Sequence, residues 1–159
     1  MGRIEIAAQG LVLAPGFIDV HTHDDLELIR NPAMLAKLSQ GVTTVIVGNC
    51  GISASPVSLR GDPPDPMNLL GTSAAFVYSR FSDYRAAVEA ARPTLNVAAL
   101  VGHTALRSNH LDDLQRTASG WRVAVHYRSS AAAAVMPAPT RTPSVASSEA
   151  GFRPVRKVE

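Results

Sequence analysis

The sequence predicts an α/β fold with parallel strands, on three observations. Three short runs, residues 16–20, 42–47 and 96–101, have the apolar, β-branched character of strands. Segments of helical composition, residues 33–40 and 82–91, lie between them. The connections are of crossover length rather than hairpin length, so consecutive strands read as parallel. The pattern is β-α-β-α-β.

Each element has a local reason. Residues 4–13 alternate loosely around Gly10 and read as a short strand and turn. Ala14-Pro15-Gly16 is a turn that sets the start of the first strand, which ends at His21. Asn31-Pro32 opens a helix, because Asn is a favoured N-cap and Pro suits the first helical position. Met34, Leu35 and Leu38 share one face of that helix, and Gly41 is its stop. Residues 42–47 are four Val/Ile and two Thr, a composition that suits a strand buried on both faces. This strand ends in Gly48-Asn49-Cys50-Gly51. Residues 53–72 carry Pro56, Pro63, Pro64 and Pro66, which predicts a long irregular loop. Loops of that length are often functional. An Ala-rich helix over 82–91 stops before Pro93. The third strand leads into Gly102-His103-Thr104-Ala105-Leu106-Arg107, and residues 111–117 read as the start of another helix. Beyond Ser119 the composition turns to Ala, Pro, Ser and Arg. Residues 122–127 have strand character, and no order is expected from Ser129 onward.

Composition narrows the class. A hydrophobic fraction of 46% allows a sizeable core. The single cysteine rules out an internal disulfide and points to a reducing cytoplasm. The net charge of +2 divides unevenly: residues 1–113 carry 8 Lys+Arg against 11 Asp+Glu, and residues 114–159 carry 7 against 2. The basic character therefore belongs to the tail, and no nucleic-acid-binding motif accompanies it. No apolar run reaches membrane-spanning length, and the N-terminus lacks the apolar region of a signal peptide. Neither a nucleic-acid nor a membrane partner is expected.

The chemistry gathers at the strand ends. In His21-Thr22-His23 the histidines are two apart, so on extended backbone both side chains point the same way. That lets two imidazoles aim at one metal ion; the alternative is a pair of polar loop histidines. Cys50 follows the second strand, and His103 follows the third. Parallel strands put all three ends on one face, where α/β enzymes keep their sites. Two imidazoles and a thiolate suit zinc, which would activate water and polarise a carbonyl. Cys50 taken alone is more often a small buried residue than a ligand. Asp24 and Asp25 can orient ligands, or be solvated loop charge. Asp19 can be a capping or structural carboxylate. His103 reads evenly as a site contact or an ordinary loop histidine. Arg107 can clamp a substrate carboxylate or lie exposed on a loop.

Residues Ala14-Pro15-Gly16-Phe17-Ile18-Asp19-Val20-His21-Thr22-His23-Asp24-Asp25 resemble the first barrel strand of the amidohydrolase superfamily. The run from Gln40-Gly41-Val42 to Asn49-Cys50-Gly51-Ile52-Ser53 is similar to the N-acyl-D-amino-acid deacylases, or D-aminoacylases, within it. Val101-Gly102-His103-Thr104-Ala105-Leu106-Arg107 is similar to that family's third-strand region. The resemblance covers about residues 10–118. It implies a metal-dependent hydrolase that cleaves the amide of a small-molecule N-acyl-D-amino acid, giving a carboxylate and a D-amino acid. It implies a (β/α)8 TIM barrel with a small β-sandwich domain. Here residues 1–13 would be the sandwich remnant, 14–119 about the first three β/α units, and 120–159 a low-complexity or frameshifted tail. It also implies Zn2+ held by His21, His23 and Cys50, the cysteine replacing the carbamylated lysine of many relatives. Asp25, His103 and Arg107 would lie near the site. The family's two later histidines and its general-base aspartate have no counterpart in this sequence, so a truncated, inactive chain is the expectation. The alternatives are another amidohydrolase, such as a cyclic amidase, and a non-catalytic piece with a partial metal site.

Overall fold

The computed structural model describes residue 7, residues 9–117 and residues 134–136. Four strands form one sheet in the order β1 (Phe17–Asp19), β2 (Val42–Val47), β3 (Asn96–Ala99) and β4 (Ala134–Met136). The first three are parallel, as the crossover lengths predict, and β4 lies antiparallel beside β3. Val45 sits between Asp19 of β1 and Val97 of β2's other neighbour, so the strand ends come out level at one edge.

The core lies on one face of this sheet. Val45 and Val47 of β2 and Val97 and Ala99 of β3 alternate inward and are buried. They meet Leu28 of α1 (Glu27–Arg30) and Tyr84 and Val88 of α3 (Phe81–Ala91), which are one turn apart on the same side of that helix. The residues 53–72 are irregular as expected, with a 3-10 turn at Met67–Leu70. They are not loosely held: Val57, Met67 and Leu70 are buried and close the core. The expectation that β2 is buried on both faces holds for one face only. Val42, Thr44 and Ile46 are half-buried. The edge strand β1 is more open still, with Phe17 and Ile18 about 60% exposed.

Several boundaries differ from the sequence reading. The second helix, α2 (Leu35–Leu38), starts later than Asn31-Pro32 suggests. Asn31 instead closes the unanticipated helix α1, its N–H donating to the Glu27 carbonyl. The carbonyls of Pro32 and Ala33 accept bonds from Thr94, and Met34 turns left-handed at φ 46°. Residues 111–117 form turns rather than a helix. The Arg107 guanidinium takes the carbonyls of Leu114 and Arg116, and the Asp113 carboxylate accepts the Gln115 N–H. The helix lies earlier, as α4 (His103–Ser108). Strand β4 falls where no order was expected; Ala134-Val135-Met136 is a short apolar run that pairs the open side of β3. The strand expected at 122–127 lies outside the described residues. Among the described residues no helix is long and apolar enough to cross a membrane.

Candidate metal centre

Two adjacent parallel strands deliver the site. The chain leaves β1 at Asp19, and the His21 N–H bonds back to the Asp19 carboxylate at 3.2 Å. It leaves β2 at Val47 into a tight loop in which Gly48, Cys50 and Gly51 all have positive φ, of 82°, 55° and 77°. Glycine is required at position 48, where a Cβ would run into the Leu100 carbonyl. Cys50 is not a glycine, and its left-handed backbone costs about 1–2 kcal/mol. A strained non-glycine residue held by its surroundings is a feature of functional sites.

That backbone turns the thiol toward the histidines. Cys50 Sγ lies 2.9 Å from His21 Nε2. The rings of His21 and His23 are 5.7 Å apart and nearly perpendicular. One ligand atom each from His21, His23 and Cys50 all fall within 4.8 Å of one another. Tetrahedral zinc with N and S ligands needs donors roughly 3.5 Å apart, so small side-chain rotations suffice. His23 Nδ1 is buried with no hydrogen-bond partner among the described residues. A buried ring nitrogen without a partner is costly; the fit to a metal rests on the three converging donors. The residues therefore fit zinc, as three donors of a four-coordinate set.

The loop bearing Cys50 is tied on both sides. Toward β3, the Thr104 N–H donates to the Gly51 carbonyl at 2.6 Å, and the Gly102 N–H donates to Ser53 Oγ at 3.0 Å. Toward β1, the buried Asp25 carboxylate accepts the N–H groups of Gly48 and Ala54. Burial pushes the Asp25 carboxyl up, and the two N–H bonds and nearby His23 pull against it. Tyr84 Oη donates to the Asp25 backbone carbonyl at 2.8 Å, and burial holds the phenol well above its ordinary range. Beside the histidines, Lys37 of α2 reaches Asp19 at 2.6 Å, Asp24 at 3.2 Å and Thr22 Oγ1 at 3.1 Å. The bond from Lys37 holds the Asp19 carboxyl below its usual value. Burial lowers the Lys37 ammonium, but the bonds to Asp19 and Asp24 outweigh it and the net shift is upward.

Residues 5–138 match the model of the amidohydrolase family. The chain belongs to the amidohydrolase family. The match runs past residue 118, where the resemblance read from the sequence stops. A D-aminoacylase of Alcaligenes xylosoxydans xylosoxydans is 47% identical over 122 residues, covering 77% of this chain and 25% of the relative. An N-acyl-D-aspartate deacylase of the same organism is 51% identical over 114 residues, covering 72% and 23%. The solved structure of N-acyl-D-glutamate deacylase from Bordetella bronchiseptica, complexed with zinc and a phosphonate mimic of the tetrahedral intermediate, superposes with a TM-score of 0.70. It is 43% identical, and the match covers 77% of this chain and 25% of that one. The chain thus spans about a quarter of the length of these amidohydrolase relatives.

Of the residues singled out in the sequence, His21, His23 and Cys50 come together, and Asp25 lies buried behind them. His103 begins α4 and is not one of the three converging donors. Arg107 is occupied by the backbone carbonyls of Leu114 and Arg116, so it braces the segment after α4. Sequence reasoning missed Lys37, Ser53 and Tyr84. Ser53 stands inside the run that carries the family resemblance, which was a signal; Lys37 and Tyr84 gave none.

Proposed function

We propose that this chain carries the opening part of a D-aminoacylase-like amidohydrolase barrel and holds Zn2+ through His21, His23 and Cys50. On this reading β1, β2 and β3 are the first three strands of a (β/α)8 barrel. The half-buried face of β2 would look into the barrel, and the residues before Ala14 would be the edge of a small β-sandwich. The reaction of the whole barrel would be hydrolysis of an N-acyl-D-amino acid to a carboxylate and a D-amino acid. The observation that carries the proposal is the convergence of three donors of zinc-binding type at the ends of two parallel strands. The names of the relatives supply the substrate class.

A zinc ion at this position supplies activation of water at neutral pH and polarisation of the amide carbonyl. The chain's own residues prepare the site. The left-handed backbone of Cys50 turns the thiol toward His21. Lys37 ion-pairs with both Asp19 and Asp24 beside the histidines. A lone Cys50 stays reduced in the cytoplasm, the compartment this reading assigns. The described carboxylates beside the site are already engaged: Asp19 and Asp24 by Lys37, Asp25 by two backbone N–H groups. None is placed to serve as a general base. The chain by itself is therefore expected to bind zinc without turnover. The test is hydrolysis of N-acetyl-D-methionine and its L enantiomer by the purified, zinc-loaded chain. Release of amino acid at the background rate is expected. D-selective turnover abolished by Cys50→Ala would confirm the substrate class and overturn the incompleteness; turnover indifferent to Cys50 would sink the metal-centre reading.

A further inference from the structure

We propose that Asp25 is a positioning residue for the metal centre: its carboxylate fixes the backbone loop that displays Cys50. The proposal rests on the metal-centre reading above and goes beyond it by assigning a role to a group that touches no ligand atom.

The loop has two roots, and Asp25 holds both. Oδ2 accepts the N–H of Gly48, two residues before Cys50, and Oδ1 accepts the N–H of Ala54, four residues after it. Asp25 is 1% exposed, so these bonds are made away from water. The same residue lies two positions after His23, on the segment that carries both histidines. One side chain therefore fixes the cysteine loop relative to the histidine strand. Tyr84 of α3 steadies it from behind through its backbone carbonyl. The opposite side of the loop is held through Gly51 and Ser53 by the turn after β3. Held at both roots, Cys50 keeps a left-handed backbone that a free loop would relax. The chemistry demands a carboxylate. It offers two acceptor oxygens to two donors, whereas an amide accepts from one and turns its own N–H toward the other.

The test uses the full chain loaded with cobalt(II) as a spectroscopic replacement for zinc. Cysteine coordination gives a near-ultraviolet thiolate-to-cobalt band, which the wild type should have and Cys50→Ala should lack. Asp25→Asn, of nearly unchanged volume, should keep its helix signal in circular dichroism. It should lose most of the thiolate band per bound cobalt and bind cobalt about tenfold or more weakly, the scale on which residues supporting metal ligands act. Val88→Ala, which loosens the core on α3 without removing any bond to Asp25 or the cysteine loop, should lower the melting temperature and leave the band intact. A wild-type band and affinity in Asp25→Asn would overturn the proposal, and so would loss of the band in Val88→Ala. A wild type with no thiolate band contradicts the underlying metal-centre reading, before any Asp25 variant is compared. A second measurement needs no variant: amide exchange at Gly48 and Ala54 in the metal-free wild type. Protection matching the β2 amides is expected, and exchange as fast as exposed loop amides refutes the clamp even where Asp25→Asn does not fold.

Discussion

Gly102→Ala isolates the contact between the β3 turn and the cysteine loop. Gly102 has φ −71° and ψ 135°, a conformation alanine adopts without strain, so the substitution adds only a methyl group. Its Cβ would lie 2.5 Å from the Gly51 carbonyl oxygen and 2.6 Å from the carbonyl carbons of Gly51 and Ile52. Those atoms are backbone, and they stand about 1 Å inside ordinary contact at ~3.5 Å. The loop must retreat. Overpacking of this kind costs about 1–3 kcal/mol. The retreat also stretches the 2.6 Å bond from Thr104 N–H to Gly51, worth about 1 kcal/mol more. A loss of about 2–4 kcal/mol is expected. Because Gly51 adjoins Cys50, zinc affinity should fall at least tenfold as well. Urea unfolding followed by circular dichroism, with zinc titration of the same samples, measures both. A stability change under about 0.5 kcal/mol with unchanged zinc affinity would refute the packing described here.

Three further outcomes are expected. Lys37→Met should cost about 1 kcal/mol near neutral pH, as loss of a partly exposed ion-pair network does. Asp19 is shifted down, so its contribution is present above pH 3.8 and is lost as pH falls through the lower folded value; Lys37 is shifted up, so its contribution is present below 10.5 and is lost as pH rises through the higher folded value. Equal melting temperatures of wild type and variant at pH 7 would refute the network, and convergence as pH falls through the lowered Asp19 value is the expected signature. Tyr84→Phe leaves the Asp25 carbonyl unpaired and should cost about 1–2 kcal/mol. The raised Tyr84 phenol gives a contribution fully present below pH 10.0 and lost as pH climbs toward its folded value, so alkaline titration of stability above pH 10 should flatten in the variant. Val97→Ala, in the buried centre of β3, should cost about 2 kcal/mol, whereas Val77→Ala on the surface should stay within about 0.5 kcal/mol; equal effects would place the core elsewhere.

The convergence of His21, His23 and Cys50 was legible because its geometry is local or topological. His21 and His23 share a side through the period of extended backbone, and Cys50 joins them because parallel strands end at one edge. The β-α-β-α-β order was legible for the same reason: connection length decides strand direction. What the sequence concealed depends on distant partners. Asn31 carries the same capping signal whether it ends one helix or begins the next, and here it ends α1. Residues 111–117 have helical character, but Arg107 takes the carbonyls that a helix would use. The buried Asp25 is met by Ala54 and Tyr84, which arrive from other elements. Lys37 looks like any exposed helix lysine until α2 is laid beside β1.

The donor set itself is the claim on which the rest depends. Zinc bound per chain, measured by equilibrium dialysis and elemental mass spectrometry on wild type, His23→Ala and Cys50→Ala, tests it most directly. Stoichiometric zinc in the wild type, lost or weakened at least tenfold in both variants, is the expected result. No zinc in the wild type, or zinc undiminished in Cys50→Ala, would contradict the centre described here.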